Sequence, residues 1–434
     1  QDSLGAARLC VLDPIGSALG AANYEEIPCL FQELQHWDGA CSLSAWVWGH
    51  REQAGAFPAM LLNGIMAHAL ELDDVHTGSK SHIGAVVVPA AWTMADALGR
   101  SGAAFLEAVI AGYEVMARIG MGMDVSSNRK RGWHTTSIIG TFGAAAAACH
   151  LLRLDWQKTL SDFGMAGTQS SGLWAFLAEG STCKKLHPAR AAVNGAISAV
   201  LAKGGMTGPA GILDAQDGGL YPAVSDSFQM SKVSAGLGET WEIMYIDKKP
   251  YPCCRTTHHA IDAALSLRNT HDFRLEDVTS ILVKTYEVGV LQCGFEKYPE
   301  SPVEAKFSIP FTCAAALVHG KITQEEFMED VIADPLVKKL AQSTKVVADP
   351  LFNNRYPTRW GSRMHLILQD GKELMCQVDD MSGSIRAPLS QQQEKDKFMG
   401  LVKGNLPDTQ ASQLLQDILT IETLPRLPEL RRND

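Results

Sequence analysis

The sequence predicts a mainly α fold, a large all-helical domain joined to a smaller α+β lid domain. Three observations predict it. Apolar residues recur at three- and four-residue spacing through the first 245 or so positions. Strand-like alternation begins only after residue 250, and helical spacing returns from about 390. The chain has 434 residues, more than one hydrophobic core usually organises, so two domains are the default.

Taken in order, helical patterns cover residues 6–19, 59–72, 89–98, 103–119, 137–152, 156–175 and 189–203. Gly and Ala are frequent inside them. Because an interior Gly costs about 1 kcal/mol relative to Ala, repeated Gly implies helices in close approach. Residues 204–217 and 218–226 read as loops, and no β-type alternation is read in this half. Residues 278–286 alternate as a strand, and 364–378 are two such runs around Asp370–Gly371, a hairpin signal. Between them, 311–319 and 322–332 read as helices, with Thr323 and Glu326 at capping-box spacing. Helices are expected again at 391–401 and 409–422. The predicted domains are therefore 1–249 (large, helical), 250–388 (α+β) and 389–434 (C-terminal helices packing back on the first).

Composition is 46% hydrophobic and 20% charged, with a formal net charge of -10. An acidic chain lacks the broad basic face that nucleic acid requires. No apolar run is read as reaching the roughly 18–20 residues of a membrane span. Ten cysteines occur without a C-x-x-C spacing, which argues for reduced thiols and against a thiolate metal site. The expected compartment is the cytoplasm, with the mitochondrion as the eukaryotic alternative. The first residue is Gln1, within a helical pattern, so a segment carrying any targeting signal is expected upstream. There is no phosphate loop, no dinucleotide fingerprint and no nucleophile elbow. Chemistry is left to ordinary His, Lys and carboxylate side chains.

Four clusters carry such groups. Lys184, Lys185, His187 and Arg190 form a cationic island in a stretch without any acid from 180 to 213, at a predicted helix start. An anion at that end would gain from both the cations and the helix dipole. Glu71, Asp73 and Asp74 close the predicted helix 59–72, and helical spacing puts His68, Glu71 and Asp74 on one face. His76 and His82 follow in a Gly/Ser-rich loop. His134 precedes the helix starting near Ser137, where the positive dipole end favours a neutral imidazole suited to acid–base work. Tyr251–His259 contributes Cys254, Arg255 and His258 at the domain junction. A solvated acidic turn, a capping-loop His and a Pro-bent linker are the plainer readings of the last three clusters. The His spacing matches no metal-site pattern, so no metal is expected.

Together the stretches NGIMAHALELDDVH (63–76), SHIGAVVVPAA (81–91), GWHTTSIIGTFGAAAAA (132–148), KKLHPARAAVNG (184–195), YPCCRTTH (251–258) and EAKFSIP (304–310) resemble the MmgE/PrpD family. That resemblance implies a helical domain with an α+β lid, usually a homodimer, and no cofactor. By position it carries the family's pocket residues onto Glu71, His82, His134, Lys184, Cys254 and Phe311. Three departures stand out. Glu71 replaces an Asp, Cys254 stands where animal-type decarboxylases have His (with His258 as a nearby substitute), and Phe311 replaces a Tyr and lacks its hydroxyl.

The implied function is a cofactor-independent lyase on a small di- or tricarboxylate, first dehydration of citrate or a 2-alkylcitrate. The alternatives are decarboxylation of cis-aconitate to itaconate, an iminodisuccinate-type epimerisation, and a non-catalytic carboxylate-binding protein. His134, His82, Lys184 and Glu71 are the catalytic candidates, with Glu71 or Asp74 orienting one imidazole. Asp74, His76, His187, Arg190, Cys254, His258, Lys306 and Phe311 are the substrate-binding candidates. The expected partner is a small anionic carboxylate, with neither nucleic acid nor membrane.

Overall fold

Helix packing dictated by small residues positions everything that follows. The computed structural model describes residues 2–24, 26–39 and 42–432. The chain divides into two units, one of residues 1–174, 183–248 and 390–434, the other of 175–182 and 249–389. Residues 175–182, expected in the helical domain, thus cluster with the second unit.

The first unit is built from α1 (Ser3–Ala21), α2 (Ile27–Trp37), α3 (Ala56–Ala69), α4 (Gly84–Ala97), α5 (Gly102–Gly122), α6 (Val125–Lys130), α7 (Thr135–Leu152), α8 (Trp156–Thr168) and α9 (Leu186–Lys203). Its most intimate pair is α7 and α9. A Cβ added at Gly195 would lie 2.3 Å from the Thr141 carbonyl oxygen, so only Gly permits this approach. Gly140 meets Ala191 and Gly195 meets Ala144, so the two helices run parallel and start side by side. Gly64 of α3 lies against Ala189 of α9, where a Cβ would come 2.8 Å from the Ala189 Cα. These contacts bring the C-terminal end of α3 to the paired N-termini of α7 and α9. The helices Gln391–Val402 and Asp408–Leu419 belong to this unit and pack against α1.

Several expected boundaries move. The helix expected over 59–72 stops at Ala69, and Glu71 takes a left-handed conformation with φ 56°. The pattern expected to run to 175 ends at Thr168, followed after a turn by a 3₁₀ segment, Trp174–Ala178. Two small antiparallel pairs, β1 (Ser44–Trp46) with β2 (Gln53–Gly55) and β3 (Val75–His76) with β4 (Ile246–Asp247), escape a period-2 reading because they span two or three residues. A short helix, Leu220–Val224, interrupts the expected loop. α1 and α7 are, contrary to expectation, long and apolar enough by composition to cross a membrane; 67% and 89% of their apolar windows are buried inside the protein, as core helices are.

The second unit holds a four-stranded sheet ordered β6-β5-β7-β8. β5 is Val278–Thr285, β6 Thr344–Ala348, β7 Ser362–Leu368 and β8 Glu373–Val378. The β7–β8 hairpin turns at Asp370–Gly371 as the sequence predicts, with Gly371 at φ 84°. β6, parallel to β5, and the preceding helix Pro335–Gln342 add to the elements the sequence predicts. The helix expected over 322–332 is instead a 3₁₀ turn, Glu325–Phe327, and a short helix, Glu329–Ile332, separated by extended Met328. Glu326 still accepts the Thr323 N–H at 2.7 Å, as the capping-box spacing implies.

Candidate active site

Where α3 ends and α7 and α9 begin, the first unit gathers four imidazoles, two carboxylates and one ammonium. His68 is the last-turn residue of α3, and Glu71 and Asp73 follow in the loop. His82 precedes α4, His134 is the N-cap of α7, Lys184 lies in the 3₁₀ turn entering α9, and His187 is in the first turn of α9. His68, Glu71, Asp73, His134 and Lys184 are all buried.

Asp73 organises one half of the group. Its carboxylate accepts from His68 Nδ1 at 2.9 Å and from His82 Nδ1 at 3.0 Å. The Asp74 carbonyl also accepts from His82 Nδ1, at 3.1 Å. Acceptor-only partners require the proton on Nδ1 of both rings, so each neutral imidazole keeps an unprotonated Nε2. The His68 and His82 ring centroids are 4.7 Å apart, edge to face. The His82 backbone N–H donates to the Thr136 hydroxyl at 3.1 Å, tying this loop to the start of α7.

His134 and His187 form the other half, with their Nδ1 atoms 2.9 Å apart. One must donate and the other accept, so one ring presents Nε2–H and the other a bare Nε2. The pair therefore offers an acid and a base at once. Burial, then Lys184, then His187, His68 and His82 push the His134 pKa well below the usual histidine value. Burial, followed by Lys184 and His68, lowers His187 to about 4. Both are neutral near pH 7. Trp174 meets the His134 ring edge to face at 5.3 Å, and the Arg129 guanidinium stacks on Trp174 at 4.2 Å.

Lys184 joins the halves by forming an ion pair with Glu71 Oε1. His68 Nε2 lies 3.7 Å from the same oxygen. One ligand atom each of His68, Glu71 and His82 lie within 4.8 Å of one another, a donor set that could hold a metal ion. A cation there would compete with the Lys184 ammonium for Glu71. With two parallel helix N-termini and a lysine at one point, the group suits a polyanion.

The structure thus brings together Glu71, His82, His134, Lys184 and His187 from the expected set, and adds His68 and Asp73. Asp74 is corrected. Its carboxylate turns the other way, accepting the Gly84 N–H at 2.9 Å and the Tyr113 hydroxyl at 2.6 Å, with Lys248 3.9 Å off. Burial, partly offset by Lys248, raises its pKa to about 6. The shared helical face of His68, Glu71 and Asp74 fails because the helix ends at Ala69. Three acids against a helix C-terminus are unfavourable, and that cost was the available signal that the chain leaves the helix before them. His76 also lies elsewhere, with Nδ1 accepting the Ser79 N–H at 3.1 Å and Nε2 3.3 Å from Glu242. Arg190 is exposed and donates to Asn194 on its own helix, while Lys185 pairs with Glu26 at 3.1 Å.

Cys254, His258, Lys306 and Phe311 belong to the second unit. His258 is wholly buried, with Arg255 donating to Nδ1 at 3.0 Å and Nε2–H directed at the Cys253 carbonyl at 3.4 Å. Both nitrogens are used, which removes it as a substitute ligand for substrate. Burial, then Arg255, depress its pKa strongly. Cys254 Sγ accepts from Gln292 at 3.1 Å. Lys306 is buried, 5.9 Å from the Phe327 ring, and Phe311 is buried between the rings of Tyr298 and Phe327.

Comparison with known proteins gives a consistent result along the chain. Residues 1–232 match the MmgE/PrpD N-terminal domain and residues 251–421 the MmgE/PrpD C-terminal domain. The cis-aconitate decarboxylase-like protein oryM of Aspergillus oryzae is 27% identical, over 91% of this chain and 84% of its own. Human cis-aconitate decarboxylase is 26% identical over 95% of this chain and 86% of its own. The mitochondrial 2-methylcitrate dehydratase of Yarrowia lipolytica is 22% identical over 96% and 84%.

Proposed function

This chain belongs to the MmgE/PrpD family, and from that premise we propose that it is a cofactor-independent lyase acting on a small tricarboxylate, with cis-aconitate decarboxylation as the leading reaction. One observation carries the reading: an ammonium, two Asp73-held imidazoles and an acid–base imidazole pair converge at two helix N-termini. Relatives named as decarboxylases or decarboxylase-like, at 25–27% identity, are the support for reading decarboxylation ahead of the dehydration favoured from sequence alone.

In this proposal Lys184 grips one substrate carboxylate by a charge-assisted bond. Loss of CO2 leaves an electron pair that forms a new C=C bond while the former alkene shifts and its far carbon takes a proton. Lys184 stabilises the negative charge on the way. The bound trianion offsets the charge of Lys184 and favours an imidazolium at His134, which delivers that proton. Water elimination is the second reading, favoured by the acid–base pair His134–His187 and by Phe311, which has no hydroxyl where the family's decarboxylases carry Tyr. The same proposal includes the homodimer, testable by light scattering.

Proton NMR of the purified protein with cis-aconitate, citrate and 2-methylcitrate separates these readings. Itaconate from cis-aconitate supports decarboxylation, a new alkene from either citrate supports dehydration, and inertness toward all three defeats the lyase reading. His134→Ala is expected to lower turnover roughly 100-fold or more.

A further inference from the structure

Asp73 holds the Nδ1 of both His68 and His82, at 2.9 and 3.0 Å. A carboxylate behind an imidazole fixes the proton on Nδ1 and leaves Nε2 as the lone-pair donor, the arrangement that supports histidine ligands of metal ions. Here one carboxylate supports two such rings. His68 Nε2 is buried without a hydrogen-bond partner among the described residues, 3.7 Å from Glu71 Oε1. One ligand atom each of His68, Glu71 and His82 lie within 4.8 Å of one another. A tetrahedral cation bonded at about 2.0–2.2 Å separates its ligand atoms by about 3.4 Å, so rotations of the side chains close the set around one ion.

The donors also select the ion. Two imidazoles and a carboxylate suit zinc and its transition-metal neighbours, whereas magnesium and calcium take oxygen ligands. Three protein ligands leave a fourth position for water, the open form of a zinc site. Sequence spacing hides the set, because Glu71 lies past the end of α3 in a left-handed turn and the supporting Asp73 adjoins neither ring in the chain.

We propose that His68, His82 and Glu71 form a zinc site overlapping the candidate active site, and that zinc occupying it inhibits the enzyme. Glu71 is paired with Lys184. A dication at Glu71 takes over that carboxylate and repels the ammonium, so Lys184 leaves the position from which it grips a substrate carboxylate. His82 becomes a ligand and is lost to acid–base work. The His82 side chain is 14% exposed while those of His68 and Asp73 are fully buried, so the ion enters past His82. The site itself stands on geometry; the inhibition rests on the tricarboxylate reading above.

Cobalt(II) chloride titrated into the full chain tests the site, because tetrahedral cobalt(II) absorbs visible light far more strongly than the aqueous ion. The bands are expected to saturate at about one equivalent and to disappear on adding zinc chloride. Asp73→Asn is expected to weaken cobalt binding about 10–100-fold, and His82→Gln, which removes a ligand, more than that. Lys184→Met is expected to tighten it on the order of tenfold, since the competing ammonium is gone. Absence of the bands, or bands unchanged in both His82→Gln and Lys184→Met, overturns the site. If His82→Gln fails to fold by circular dichroism, Lys184→Met decides, because misfolding does not raise affinity. With free zinc fixed by a chelator buffer, turnover of the reacting tricarboxylate is expected to fall and to recover on chelation; turnover unaffected at saturating zinc overturns the inhibition. A chain that shows the cobalt bands but converts no tricarboxylate defeats the lyase reading and leaves the metal site standing.

Discussion

Asp73 does more for the site than any cation in the basic island. It fixes the tautomer of His68 and His82 together, through Nδ1 contacts of 2.9 and 3.0 Å. Asp73→Asn keeps the shape but offers an amide donor to at least one ring, so one imidazole must flip or change tautomer. Turnover is expected to fall on the order of 100-fold, with KM affected much less; steady-state kinetics on whichever tricarboxylate reacts would show it. His187 yields a stability prediction. Its folded pKa of about 4 lies below the unfolded value of 6.5, so the unfolded chain binds the proton first as pH falls. Stability conferred by the neutral ring is full above 6.5 and is lost progressively as pH drops toward 4. Melting temperatures of wild type should decline over that window more steeply than those of His187→Gln; parallel declines would refute the assignment.

Helix α9 is the element on which the site depends, because its N-terminus carries Lys184 and His187 while Gly195 fixes its distance from α7. Gly195→Ala puts a methyl 2.3 Å from the Thr141 carbonyl oxygen, which something must move to accommodate. Overpacking of this kind costs about 1–3 kcal/mol. Both melting temperature and turnover are expected to drop, since any shift of α9 also moves Lys184 away from Glu71; a variant that melts and turns over like wild type would contradict this packing. The α7–α8 contact has its own pH dependence. Cys149 donates to the buried Asp162 at 2.8 Å, and burial raises the Asp162 pKa to about 7. The unfolded carboxyl ionises near 3.8, so stability falls as pH rises from about 4 to 7 and then levels off. Asp162→Asn should melt with a weaker dependence over that range, measurable by differential scanning calorimetry.

At the level of the molecule, the C-terminal segment is part of the helical unit. Phe398, Val402, Ile418 and Ile421 are buried there, and Lys397 donates to the Leu72 carbonyl at 2.8 Å, between Glu71 and Asp73. Four such apolar side chains represent about 6–12 kcal/mol of burial, comparable with a whole domain's stability of about 5–15 kcal/mol. Deleting residues 390–434 is expected to abolish cooperative melting; a truncated chain with a sharp thermal transition would show that the segment is dispensable. Lys397→Met removes both the bond to Leu72 and the 2.5 Å ion pair with the buried Asp13 carboxylate, so the melting temperature and turnover are both expected to fall.

The periodic parts of this protein were legible in its residues alone. Helix existence, the β7–β8 hairpin, the cationic start of α9 and His134 at the head of α7 all follow from local spacing and composition. So did the family, whose motifs are contiguous in sequence. Short strands carried no period to detect, and β6 declares itself only through its pairing with β5. The direction of Asp74 and the membership of Asp73 were decided by tertiary structure. One left-handed residue, Glu71, separates the end of α3 from the loop, and beyond it helical spacing no longer says which face a side chain shares. Asp74 then meets Tyr113 and Gly84, residues far along the chain, while Asp73 meets two histidines. Sequence alone determined which chemical groups were present; which carboxylate faced which imidazole depended on where a helix stopped.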